Sequence, residues 1–181
     1  MTRTAPPVYS DPPPDAPPRW RLTREHIPAS NAGVRRTLQV MRALAEEQDS
    51  ITTWWARRLL NRAGGQVDRF PIELRAWLAD VWTFVDDPLD VETVRSPGFQ
   101  LRQGTFAGDC DDVATLAAGL ARAVGLGGKF RVLAFDVGRN YSHVLTEVLA
   151  PGPPGVWYDM DVTRPPGAVP APTADMVVYF P

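Results

Sequence analysis

The sequence predicts an α+β fold, with helices first and an antiparallel sheet after them. Three observations carry this expectation. Apolar residues recur at helical spacing from Val34 and again from Leu74. An alanine-rich helical run follows the only cysteine, Cys110. Three strand-like runs then come in succession, separated by short turns, which is the pattern of a meander.

Residues 1–28 hold 8 of the 19 prolines, and such a stretch favours extended chain without a core. It is expected to be an arm, either disordered or docked on a partner. Residues 29–65 are expected to form an N-terminal helix. Ser30 or Asn31 can cap it, Val34, Leu38, Met41 and Ala45 share one face, and Ile51, Trp55 and Leu59 follow. NRAGG at 61–65 stops it. Residues 66–181 are expected to form the main domain. Its first helix runs from about Pro71 to Phe84, with proline suited to the first turn. Residues 86–108 read as a loop. Val113, Leu116, Ala117, Leu120 and Val124 make one apolar stripe, ended by GLGG at 125–128. Strands are expected at 129–137, 142–150 and 155–162, with a fourth at 176–180.

Composition excludes several classes. A net charge of −2 argues for neither nucleic acid nor a membrane surface as partner. Residues 1–75 carry 12 basic and 8 acidic side chains and the remainder 7 and 13, so the half with the cysteine is acidic. One cysteine can make neither an internal disulfide nor a thiol-rich metal site. No apolar run approaches the roughly 18 residues of a membrane span, and the N-terminus lacks the apolar centre of a secretory signal. A reducing compartment, the cytoplasm of a bacterial host or a virion, is the expectation.

The stretch GDCDDVATL at 108–116 puts Cys110 in the first turn of a helix. A lone cysteine is by default a small buried hydrophobe. A helix start changes its chemistry, because unsatisfied N–H groups and the positive dipole end favour a thiolate and can hold a carbonyl oxyanion. Asp109 is expected to cap the helix. Asp109, Asp111 and Asp112 oppose a thiolate, so they read as structural or substrate-orienting. A nucleophilic cysteine needs a base and an orienting group. His26 lies in the arm, which leaves His143 on the second strand. Asp159, Asp161 and Trp157 should share a face of the third strand, where Asp161 could meet His143 across the sheet. A metal site of Asp109, Asp111, Asp112, Asp159, Asp161 and His143 is the less favoured alternative, because DCDD lacks the glycine and terminal glutamate of a calcium loop. No cofactor is expected.

GDCDDVATL at 108–116, SHVLTEV at 142–148 and WYDMDVT at 157–163 together resemble the transglutaminase-like superfamily, a branch of the papain-like cysteine enzymes. The likeness spans about residues 75–163, and FVDDPLDVETVRSPGFQLRQGTFAGDCDD is similar to a subgroup found in bacteriophages and prophages. Val162 stands where the family often has proline. The resemblance implies a papain/transglutaminase-like core, with the nucleophile helix packed on the meander. It implies Cys110 as nucleophile, His143 as base and Asp161 as orienter, the four-residue step from Trp157 selecting Asp161 over Asp159. The implied activity is acyl transfer through a thioester on a peptide, isopeptide or other amide substrate. The Cys110 N–H would serve the oxyanion, with Trp82 or Tyr141 as candidates for the second donor and Trp157 packed over the relay. Glu147 reads as solvated strand surface. The alternative is a catalytically silent structural or binding module of a virion or assembly complex, with the arm contacting other phage proteins.

Overall fold

A computed structural model describes residues 22–25, 31–87, 92–134, 141–163 and 174–181. In chain order the elements are β1 (Leu22–Glu25), α1 (Asn31–Glu46), α2 (Ser50–Arg62), α3 (Phe70–Val81), β2 (Thr83–Phe84), β3 (Glu92–Arg95), α4 (Pro97–Gln103), β4 (Ala107–Gly108), α5 (Cys110–Ala123), β5 (Gly128–Ala134), β6 (Tyr141–Ala150), β7 (Val156–Asp159) and β8 (Ala174–Phe180). The fold is α+β.

Helix α5 is buried on every side from Asp111 to Ala121. A helix with apolar and small residues all round can sit between two layers. On one flank Val113, Leu116, Ala117, Leu120 and Ala121 pack with Ile51, Trp55 and Leu59 of α2 and with Phe70, Leu74 and Trp77 of α3. On another, Ala114 and Ala118 pack with Leu38, Met41 and Leu44 of α1 and with Phe130, Val132 and Val144 of the sheet. The small side chains on that flank let α1 and the sheet approach closely. The Thr146 hydroxyl donates to the Ala114 carbonyl at 2.8 Å, which ties β6 to the second turn of α5.

The sheet has the order β7-β6-β5-β8. Every pairing in it is antiparallel, and β8 returns to the free edge of β5. Residues 135–137 of the expected first strand lie outside the described residues. β7 stops at Asp159, short of the expected end at 162.

Two departures in the helical half have local causes. The expected helix over 29–65 is two helices, broken at 47–49. Asp49 takes an extended conformation, and its carboxylate accepts the Thr52 N–H at 2.7 Å, capping α2. Helix α3 stops at Val81 rather than at Phe84. Trp82 is extended, and Thr83 and Phe84 pair in parallel with Ala107 and Gly108.

The expected loop at 86–108 contains three elements. Ser96 accepts the Phe99 N–H, Pro97 opens α4, and Gly104 closes it with φ of 66°. β3 pairs antiparallel with β1, from Leu22 opposite Arg95 to Glu25 opposite Glu92. The last part of the arm is therefore strand at 22–25, while residues 1–21 and 26–30 lie outside the described residues.

Gly119 marks where α5 meets α4. A Cβ built there would meet the Pro97 ring, 3.0 Å from its Cβ. A rigid ring cannot swing aside, so overpacking outweighs the helix propensity that alanine would add. Gly119→Ala is expected to lower stability by about 1–2 kcal/mol, read from urea midpoints. A variant as stable as the parent or more so would show that α4 yields.

Candidate functional site

The start of α5 is fixed by a polar network that the sequence reading did not foresee. Asp112 is fully buried. Its carboxylate accepts the Arg95 backbone N–H at 2.9 Å and pairs with the Arg95 guanidinium. That guanidinium also donates to the Ala107 carbonyl at 3.2 Å. The Gln100 amide donates to the carbonyls of Arg95 and Asp112, both at 3.0 Å. Gly108 passes so close that a Cβ would lie 2.7 Å from the guanidinium and 2.9 Å from the Asp112 Cβ. β3, α4 and β4 thereby clamp the first turn that carries Cys110.

Cys110 is half-buried, and its sulfur receives the Val144 backbone N–H. The expected preference for a thiolate is not met: the thiol is pushed up to about 12. Burial is the largest cause and the Asp109 carboxylate the next. The Val144 N–H pulls downward, and Glu92 and Asp161 push further up. Desolvation and three acids outweigh one N–H and the end of a helix dipole.

His143 directly precedes Val144. Its Nε2 lies 2.8 Å from Asp161 Oδ2, with both side chains largely buried. The other carboxylate oxygen of Asp161 accepts the backbone N–H of Thr163 at 2.9 Å and its hydroxyl at 2.7 Å. Burial would raise the Asp161 carboxyl, but the hydrogen bonds from His143 and Thr163 and the nearby imidazole outweigh it and hold the group well below the usual carboxylate range. An ionised carboxylate only accepts, so Nε2 carries the ring hydrogen and Nδ1 is the basic nitrogen, an assignment made from this network.

Asp161 does not reach His143 as a strand neighbour. Beyond the end of β7, Met160 N–H still donates to the Thr146 carbonyl at 2.9 Å. The Asp159 carboxylate then accepts the Asp161 N–H at 2.7 Å. This turn leaves Asp159 exposed and brings Asp161 inside, so the two aspartates do not share a face as expected.

Trp157 also departs from its expected place over the relay. It pairs with Leu149, six residues along β6 from His143, or about 20 Å at strand rise. Its ring lies under the Lys129 ammonium at 4.1 Å and edge-on to Tyr179, on the outer face of the sheet. Glu147 is on that face too, and it is ion-paired with Lys129 at 2.8 Å and Arg131 at 3.5 Å rather than simply solvated. Trp82 packs against the α2–α3 core, and its indole N–H is shielded without a hydrogen-bond partner among the described residues. Tyr141 opens β6, and its side chain lies outside the described residues.

Asp109 occupies the N-cap position, yet its side chain accepts no cap hydrogen bond. It turns instead toward Asp111. These two belong to a larger acidic cluster with Asp87 and Glu92, which sequence reasoning missed because both lie in the segment read as loop. Burial, then neighbouring acids, raise Asp87, Glu92 and Asp111. At Asp112 burial raises the carboxyl and Arg95 lowers it, and with both oxygens accepting from Arg95 the pair is ionised.

Comparison with protein-family models, curated proteins and solved structures found no match to this chain.

The raised acids hold protons in the folded state that the unfolded chain releases near pH 4. For Asp87, Glu92 and Asp111 ionisation therefore costs stability as pH rises above about 4. Asp161 has the opposite sign: its contribution is complete above about pH 4 and is lost in stronger acid. In metal-free buffer the urea midpoint is expected to be lower at pH 8 than at pH 5, and Asp111→Asn should narrow the gap. An equal or higher midpoint at pH 8 would contradict the charge assignment. For Cys110, iodoacetamide alkylation should rise about tenfold per pH unit from 7 to 10, because the thiolate fraction does so below its pKa. Asp109→Asn should speed the reaction at pH 8, whereas a plateau near pH 7 would show a lower thiol pKa.

Proposed function

We propose that the chain is a cysteine-dependent acyl-transfer enzyme of the transglutaminase-like type, with a papain-like core formed by α5 against the β5–β6–β7 meander. The observation that carries the reading is the buried His143–Asp161 pair at 2.8 Å, next to the strand amide that meets the Cys110 sulfur. Among the described residues no helix is long and apolar enough to cross a membrane.

The thiol is held neutral, so the reaction begins with proton transfer and not from a preformed thiolate. His143 Nδ1 takes the Sγ proton as the sulfur attacks an amide carbonyl carbon. Asp161 keeps the hydrogen on Nε2 and stabilises the imidazolium that forms. The Cys110 N–H, which has no acceptor within its own helix at the first position, faces the developing oxyanion. The indole N–H of Trp82 and the side chain of Tyr141 are the candidates for a second donor. The carbon–nitrogen bond then breaks, and the imidazolium returns its proton to the leaving amine. Water or a second amine, deprotonated by the same imidazole, resolves the thioester.

An activated acyl probe, N-acetylglycine p-nitrophenyl ester, tests this directly. One equivalent of p-nitrophenol should be released in a burst, with one acetylglycyl group found on Cys110 by peptide mass spectrometry. Cys110→Ala should abolish the burst. His143→Gln should slow acylation by about 10²–10³ at pH 7.5, the usual size of a general-base contribution. Acylation at the same rate in His143→Gln, with its Tm unchanged, would exclude this mechanism and favour the silent binding module.

A further inference from the structure

We propose that Asp109, Asp111 and Glu92 form a binding site for one hard divalent cation, of the calcium, magnesium or manganese class. The site stands whether or not Cys110 is catalytic.

The argument starts from Asp111, only 2% exposed. Neither of its carboxylate oxygens has a hydrogen-bond partner among the described N–H and O–H groups. The groups that face it are the carboxyls of Asp109, Asp112 and Glu92 and the Cys110 thiol. One buried oxygen of Asp109 also has no hydrogen-bond donor. Single oxygens of Asp109, Asp111 and Asp112 lie within 4.8 Å of one another. Glu92 approaches Asp111 closely enough for a carboxyl–carboxyl hydrogen bond, and Asp87 adds further negative charge.

A buried carboxylate is stable when something positive or a donor meets it. Arg95 faces this cluster, but it is engaged by Asp112, whose two oxygens are both satisfied by Arg95. Asp112 is therefore the anchor of the helix and not a ligand. Asp109 and Asp111 converge from the cap of α5 and its first turn with no donor on their buried oxygens, and Glu92, at the start of β3, reaches Asp111 while also taking the Thr37 hydroxyl. Either shared protons or a cation must occupy that space. Three carboxylates without imidazole suit a hard, oxygen-preferring ion. They are not the residues of a calcium loop, which explains why motif spacing does not reveal them.

The test is calorimetric titration of the full-length chain with CaCl₂, MgCl₂, MnCl₂ or ZnCl₂ singly, alongside Tm measurements. At least one hard ion should bind near one-to-one and saturably. At about a hundred times its Kd it should raise Tm by about 5–10 °C. Asp111→Asn should fold with an unreduced Tm in EDTA, since it removes a buried carboxyl whose ionisation is costly there, and should lose at least tenfold in affinity. Glu92→Gln, at the less buried edge, should also weaken binding and serves if Asp111→Asn is unstable. Asp175→Asn, on the outer face of the sheet, should bind as the parent does. The proposal is overturned by no saturable binding below about 5 mM, by undiminished binding in both cluster variants, or by a response to zinc alone that Cys110→Ser removes.

Discussion

The Asp112–Arg95 pair is the interaction on which the placement of the site depends. Asp112 is fully buried at the start of α5, and a charge there is tolerable only when a positive partner and backbone donors reach it. Arg95 supplies both from one residue, through its guanidinium and its own backbone N–H. Meeting that requirement draws β3 against the helix start. The same guanidinium holds β4 through Ala107, and Gln100 of α4 closes the arrangement. Gly108 has no side chain because that space is already filled by the pair. The direction in which Cys110 leaves the backbone thus follows from a charge two residues further on.

A second constraint brings the imidazole and its carboxylate together. Sheet register alone would leave the residue after β7 to continue outward, as Trp157 and Asp159 do. The side chain of Asp159 takes the N–H of Asp161 and bends the chain inward. Thr163 then fills the remaining oxygen of Asp161 with two hydrogen bonds. A carboxylate saturated in this way on one oxygen presents the other to His143 in a fixed orientation. Local turn chemistry therefore does what cross-strand pairing does not.

Periodicity made the large elements legible in the sequence. The stripe of α5 and the alternation of β5 and β6 each extend over two turns or more, long enough to outweigh local noise. The break between α1 and α2 was also present, as the capping aspartate Asp49, but reading the two stripes as one helix concealed it. The segment at 86–108 resisted for a different reason. β3 and β4 are four and two residues long, and their pairing partners are distant in the chain or likewise very short. Ser96, Pro97 and Gly104 were the signal for α4. Cys110 and His143 could be singled out by residue type and position, and Asp161 only through the resemblance, whereas Glu92, Arg95 and Thr163 matter only through what tertiary structure sets beside them. The D-x-T pattern of Asp161 to Thr163 was the one local clue to the turn.

The two halves of the site make opposing demands on charge. A thiol nucleophile benefits from positive potential, yet Cys110 stands between Asp109 and Asp111, and its sulfur feels Glu92 and Asp161 as well. If the acids served only to start the helix, uncharged caps such as serine would do so without burying charge. Asp111 does not cap, and its buried oxygens meet acids and no donor. Local rules broken together in one place point to a group that restores consistency. A cation on Asp109, Asp111 and Glu92 would do so for the acids and would also reduce the negative field at the sulfur. The relay and the cluster are then two consequences of one helix start: Asp112 holds it in place, Asp111 turns its charge inward, and the cysteine between them takes its chemistry from whichever charge prevails.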